Sequence, residues 1–156
     1  MTETATPQRL LRLARSIVGQ AEAEAVQRVI LDVGYLGMGA EVHLFEQEIA
    51  AYLGVPENWV TLVNTGTAAL HLAMEAALEP GSEVLIPSLT YVASFQAALG
   101  ADCVPVPCDV DPATGLLDLD DAARRLTPAA RAVMPVHYAG NPALLDDVHD
   151  FAARHN

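Results

Sequence analysis

The 156-residue sequence predicts an α/β fold, a parallel sheet with helices on both faces. Three observations carry that reading. Four short runs, at residues 59–63, 83–86, 103–106 and 132–136, are dense in valine and isoleucine, the continuous apolar character of strands buried on both sides. Stretches with apolar residues at helical spacing alternate with those runs. The connections between them are short, which suits strand–helix–strand crossovers in one sheet.

In chain order, residues 1–18 read as a polar N-terminal arm, and residues 19–156 as the portion that folds around the sheet. Val26, Val29, Ile30 and Val33 recur at helical spacing and mark an amphipathic helix that Gly34 stops. Gly37-Met38-Gly39 forms a bend. A second helix carries Val42, Phe45, Ile49 and Leu53 on one face and ends at Gly54. The run at 59–63 is the first strand, followed by a helix whose buried face is Leu70, Ala73, Met74 and Ala77. After the strand at 83–86 a shorter helix spans 94–99. The strand at 103–106 leads to a helix that Asp118 caps and that runs through Leu126. The strand at 132–136 precedes a last helix defined by Leu144, Val148, Phe151 and Ala152. No internal repeat, low-complexity tract or linker interrupts the series.

Composition narrows the function classes. The net charge of −12 argues against nucleic-acid partners and anionic membranes, both of which require a basic footprint. No apolar run approaches the roughly 20 residues of a membrane span, and the N-terminus lacks the long apolar stretch of a signal peptide. Cys103 and Cys108 have no second pair to build a zinc site with, and they read as buried thiols in a reducing cytoplasm. His43, His71, His137, His149 and His155 form no metal-ligand pattern, so no metal is expected. The chain has no lysine: its eight basic residues are Arg9, Arg12, Arg15, Arg28, Arg124, Arg125, Arg131 and Arg154.

Chemistry concentrates at the strand ends. Asn64-Thr65-Gly66-Thr67-Ala68-Ala69-Leu70 joins the first predicted strand to its helix. Glycine allows close approach to an anion, and a helix start presents unpaired amides and the positive end of the dipole. Such a turn serves as a phosphate cradle or as an ordinary cap. In a parallel sheet, ligands sit outside the carboxyl ends of the strands. That rule puts Tyr91, in Pro87-Ser88-Leu89-Thr90-Tyr91-Val92-Ala93-Ser94, at the same edge as Thr67, where its ring either stacks on a flat heterocycle or simply packs. The segment 109–114 reads as a turn capped by its own carboxylates. His137, in the segment 135–142, makes either a polar contact at the ligand edge or a structural hydrogen bond.

Gly37-Met38-Gly39 with Phe45-Glu46, then segments 64–70, 87–94 and 109–114, Asp118, and the segment 134–140 occur in an order and spacing that resemble the N-terminal part of nucleotide-sugar aminotransferases of the DegT/StrS type. These are fold-type I pyridoxal-phosphate enzymes, and the resemblance runs from about Gly19 to the last residue. It implies that Gly66, Thr67 and Ala68 hold the cofactor phosphate, that Tyr91 stacks on the pyridine ring, that His137 lies near the cofactor and sugar pocket, and that residues 34–39 border the substrate entrance. The family reaction it implies is transfer of an amino group from glutamate to a keto-sugar nucleotide.

The resemblance also implies what is absent. The family's Schiff-base lysine, the aspartate that pairs with the pyridine nitrogen, and the small C-terminal domain have no counterpart here, and arginine, always protonated, cannot replace the lysine. The family's sheet order, 3-2-4-5-6-7-1, makes the second, third and fourth strands of this chain neighbours and leaves the first without one. The expectation is therefore the N-terminal half of a split aminotransferase that shares pyridoxal 5'-phosphate with a complementary C-terminal chain, assembles further through the family's dimer interface and works in the cytoplasm. The alternative is a non-catalytic, truncated relative with a binding or regulatory role or none.

Overall fold

A computed structural model describes residues 16–34 and 36–155. Most of the expected N-terminal arm, residues 1–15, lies outside the described residues; residues 16–19 are exposed and without regular structure. The chain divides into two compact units, Met1–Val60 and Thr61–Asn156.

The first unit is helical. Helix α1 (Gln20–Arg28) begins where Gly19 N–H donates to Glu22 Oε2 at 2.7 Å, and it continues into a π turn at Val29–Val33. The predicted helix thus reaches Val33, with its last turn widened. Gly34 ends it in the left-handed region at φ 68°, donating to Val29 O. Residues 37 and 38 form the predicted bend. Helix α2 (Ala40–Leu53) ends in the same way at Gly54, φ 69°. Its predicted apolar face is covered only in part. Val42 and Ile49 are half-buried while Phe45 and Leu53 are exposed, and the buried positions are Glu46 and Ala50. An apolar stripe is buried only where another layer lies on it.

Residues 59–63 are not a strand. A 3-10 turn occupies Glu57–Trp59, and although Val60 has extended dihedrals (φ −113°, ψ 128°), no ladder forms. Extended backbone becomes a strand only when a neighbour takes its N–H and C=O groups, and no strand pairs with this one among the described residues.

The second unit holds a three-stranded parallel sheet in the order β2-β1-β3, from β1 (Glu83–Pro87), β2 (Val104–Cys108) and β3 (Ala130–Val133). This is the neighbour relation expected of the second, third and fourth predicted strands. Boundaries shifted in all three strands, two of them for visible reasons. Cys103 N–H closes the end of the preceding helix on Ala98 O, so β2 starts one residue late; Met134 N–H adds one further bond to Leu85 O before Pro135, which has no N–H, ends the β3 ladder.

Central β1 is covered on both sides, and its residues alternate between the layers. Val84 and Ile86 pack with Met74, Ala97, Ala98 and Cys103, beneath α3 (Gly66–Ala77) and α4 (Ala93–Gly100). Leu85 packs with Cys108, Leu117, Ala122 and Phe151, beneath α5 (Leu119–Arg124) and α6 (Leu145–Arg154). On α3 Met74 is buried and Leu70, four residues before it, is partly buried, as is Leu78 just past the helix end; Ala73 and Ala77, expected on the buried face, are exposed.

The two sheet edges differ. Val104 N–H points inward to Ser82 O, so alternation turns the nitrogens of Pro105 and Pro107 outward, where no donor is available for another strand. The outer edge of β3 carries no proline, and no strand covers it among the described residues. No helix among the described residues is long and apolar enough to cross a membrane.

Candidate functional site

The carboxyl end of the sheet opens into a cleft of about 600 Å³ lined by Gly66 and Thr67 from α3, Thr90 and Tyr91 from the β1–α4 turn, Ser94 from the start of α4, and 134–136 after β3. A parallel sheet places a ligand at this end. Gly66 and Thr67 therefore share this cleft with Tyr91, far from them in sequence, at the edge where Thr67 and Tyr91 were expected together.

The start of α3 has the groups to receive an anion. Thr65 is its N-cap, and its Oγ1 accepts from Ala68 N–H at 3.0 Å, while Thr65 O accepts from Ala69 N–H. The amides of Gly66 and Thr67 have no intrahelical acceptor and remain for a ligand. The cradle's third expected member, Ala68, is placed differently from the other two: its amide is engaged by the Thr65 hydroxyl, and it does not line the cleft. The sequence left cradle and cap as alternatives for this turn, and the structure shows the cap on Ala68 beside two amides that it leaves open.

A Cβ built on Gly66 meets nothing within 4 Å, so the missing side chain leaves open space beside the two amides. Thr67 is half-buried and adds a hydroxyl, and Tyr91 is 78% exposed, a ring with one face left for a flat partner. Among the described residues no carboxylate lines this cleft, in a chain of net charge −12. Unpaired amides, free volume, a hydroxyl and an aromatic face suit a phosphate joined to a planar heterocycle.

His137 stands one residue beyond the lining segment 134–136 and is exposed. Its carbonyl accepts from Gly140 N–H at 2.9 Å across the 3-10 turn Tyr138–Gly140, in which Ala139 adopts φ 53°. A non-glycine residue in the left-handed region is strained and persists only where its surroundings hold it. Here Tyr138 does so: its ring, with Leu89, lies against the position a Cβ of Gly115 would take, at 3.2 and 3.3 Å. The three strand-end loops meet at that point. The bend at 34–39 belongs to the first unit, with Tyr35 outside the described residues.

Residues 17–156 match the DegT/DnrJ/EryC1/StrS aminotransferase family. The chain belongs to that family. Its relatives include the dTDP-4-dehydro-2,3,6-trideoxy-D-glucose 4-aminotransferase of Saccharopolyspora spinosa, 39% identical over 143 residues that cover 91% of this chain and 37% of the relative. Among solved structures it resembles AtS13 from Actinomadura melliaura, with a TM-score of 0.84 and 36% identity over 96% of this chain and 40% of that one. It is also similar to the sugar aminotransferase CalS13 from Micromonospora echinospora, with a TM-score of 0.80 and 33% identity over 94% and 39%. The 156 residues of this DegT/StrS chain therefore span about two-fifths of the proteins they match. Aminotransferases of the family depend on pyridoxal phosphate.

Proposed function

We propose that this chain supplies the cofactor-anchoring portion of a pyridoxal-phosphate aminotransferase that acts on a keto-sugar nucleotide, and that a complementary polypeptide supplies the lysine and the pyridine-pairing aspartate. The observation that carries this reading is the carboxylate-free cleft in which two unpaired amides, the Thr67 hydroxyl and the Tyr91 ring converge. The cofactor, once bound, supplies an electron sink at the substrate's reacting carbon.

The chain's own residues position. Gly66 and Thr67 amides and the Thr67 hydroxyl hold the phosphate, and Tyr91 covers a face of the ring. His137 lies on the sugar side of the pocket. None of the eight arginines can act as the amine that binds the cofactor or carries its protons. The helix-end contact contributes up to ~2 kcal/mol and ring stacking about 1 kcal/mol, well short of the roughly 8 kcal/mol of micromolar affinity. The chain alone therefore holds pyridoxal phosphate weakly.

The test is reconstitution. Mixing this chain with candidate C-terminal aminotransferase chains and pyridoxal phosphate is expected to produce the visible absorbance of lysine-bound cofactor, and glutamate then to aminate a keto-sugar nucleotide. Failure to produce that absorbance with any complementary chain from the family contradicts the proposal.

A further inference from the structure

Tyr91 is an odd residue to entrust with a stacking contact. At 78% exposure its ring takes almost no support from side-chain packing, so its direction depends on the backbone that carries it. The turn at that point also lacks a usual cap, because the N-cap of α4 is Val92 and no side chain accepts from its first amides. What fastens the turn is Ser94. Its main-chain N–H donates to Tyr91 O at 3.1 Å, and its Oγ lies 2.7 Å from Thr90 Oγ1, in a hydroxyl pair where either oxygen can donate. One serine thus grips residue 90 by its side chain and residue 91 by its main chain. Ser94 is only 6% exposed, so its half of the clip is itself fixed in the helix and the sheet layer beneath.

We propose that the Thr90–Ser94 hydroxyl pair is a positioning device that sets the direction of Tyr91 over the cleft. The proposal deepens the functional reading above, since it rests on Tyr91 covering a bound ring. A hydroxyl has one proton to donate and two lone pairs to accept with. When one hydroxyl of the pair donates to the other, the second keeps its proton, and both line the cleft. The pair therefore spends one of its two donor protons internally and leaves the other for the site. Neither residue touches the bound ring through this bond; both act through Tyr91.

The variants are Thr90→Val, which keeps the shape and removes the hydroxyl, Ser94→Ala, and the two combined. The combined variant leaves no half-buried hydroxyl unpaired, so its melting temperature stays close to that of the unmodified chain. Two readouts separate positioning from bulk stability. In the free chain, nitrogen-15 relaxation at the Tyr91 and Val92 amides should show added mobility in all three variants, with Thr90→Ser restoring rigidity. In titrations with pyridoxal phosphate, each variant should lose about threefold in affinity, and that loss should vanish in a Tyr91→Ala background. An unmodified chain that shows no affinity for pyridoxal phosphate would remove the functional reading, while the relaxation data would still decide the clip. Unchanged mobility at Tyr91, or an affinity loss that persists without the Tyr91 ring, overturns the proposal.

Discussion

The helices α3 and α5 both start at the carboxyl end of the sheet, and they treat their first amides in opposite ways. At α5 the chain supplies its own anion: Asp118 Oδ1 accepts from Asp120 N–H at 2.9 Å and Asp121 N–H at 3.0 Å. The loop before it is closed likewise, with Asp111 Oδ1 accepting from Ala113 and Thr114 amides and Asp121 Oδ2 from Asp109 N–H. At α3 the cap is a neutral threonine that engages Ala68 and leaves Gly66 and Thr67 open. A helix start neutralised internally has no use for a ligand, whereas one left open beside free volume does. The acidic loop is a structural closure, and the α3 start is the site we propose.

The largest effect expected from this contrast comes from giving α3 the anion that α5 already has. Gly66→Asp suits a helix start and meets no steric obstacle. It should preserve or raise the melting temperature while lowering pyridoxal-phosphate affinity by about 100-fold, through repulsion of the phosphate. Next, Thr67→Val removes one hydroxyl donor to a charged group and should weaken cofactor retention about tenfold in the reconstituted complex without unfolding the domain. Asp118→Ala should do the reverse, costing about 1 kcal/mol in denaturant unfolding with cofactor affinity unchanged.

The smallest effect is a pH dependence at Asp121. Hydrogen bonds from Arg125 first, then from the Asp109 amide and Arg124, lower its carboxyl from the ordinary 3.8 to about 2. A depressed carboxylate stabilises the fold above its unfolded value, and that contribution is lost as pH falls through the window from 3.8 to about 2. Acid unfolding of Asp121→Asn should therefore show less dependence on pH across that interval than the unmodified chain.

What could be read from the sequence was local. The Asp118 cap, the left-handed glycine ends at Gly34 and Gly54, and the alternation of apolar runs with helices follow from residue type and spacing, and the structure agrees. The neighbour relation of the three strands came with the family resemblance, since spacing alone does not order a sheet. Residues 59–63 show the limit: their composition is that of a strand, but strandness is a property of pairs, and no strand pairs with them among the described residues. Ala73 and Ala77 failed similarly, because which flank of a helix is covered depends on the neighbour. The Asp121 network was missed although Arg124 and Arg125 at i+3 and i+4 were visible, since nothing local marks a carboxylate as buried. At the site, the convergence of Gly66, Thr67 and Tyr91 was anticipated from the strand-end rule, while the diversion of the Ala68 amide to Thr65 required coordinates.

The central claim is that the open start of α3 receives the cofactor's phosphate. The most direct measurement is a nitrogen-15 NMR titration of the chain with pyridoxal phosphate and, in parallel, with inorganic phosphate. Both ligands should shift the Gly66 and Thr67 amides while those of residues 109–121 stay in place, and pyridoxal phosphate alone should also move the Tyr91 signals. Saturating shifts confined to the 109–121 loop, or none at Gly66 and Thr67 at millimolar ligand, would contradict the account.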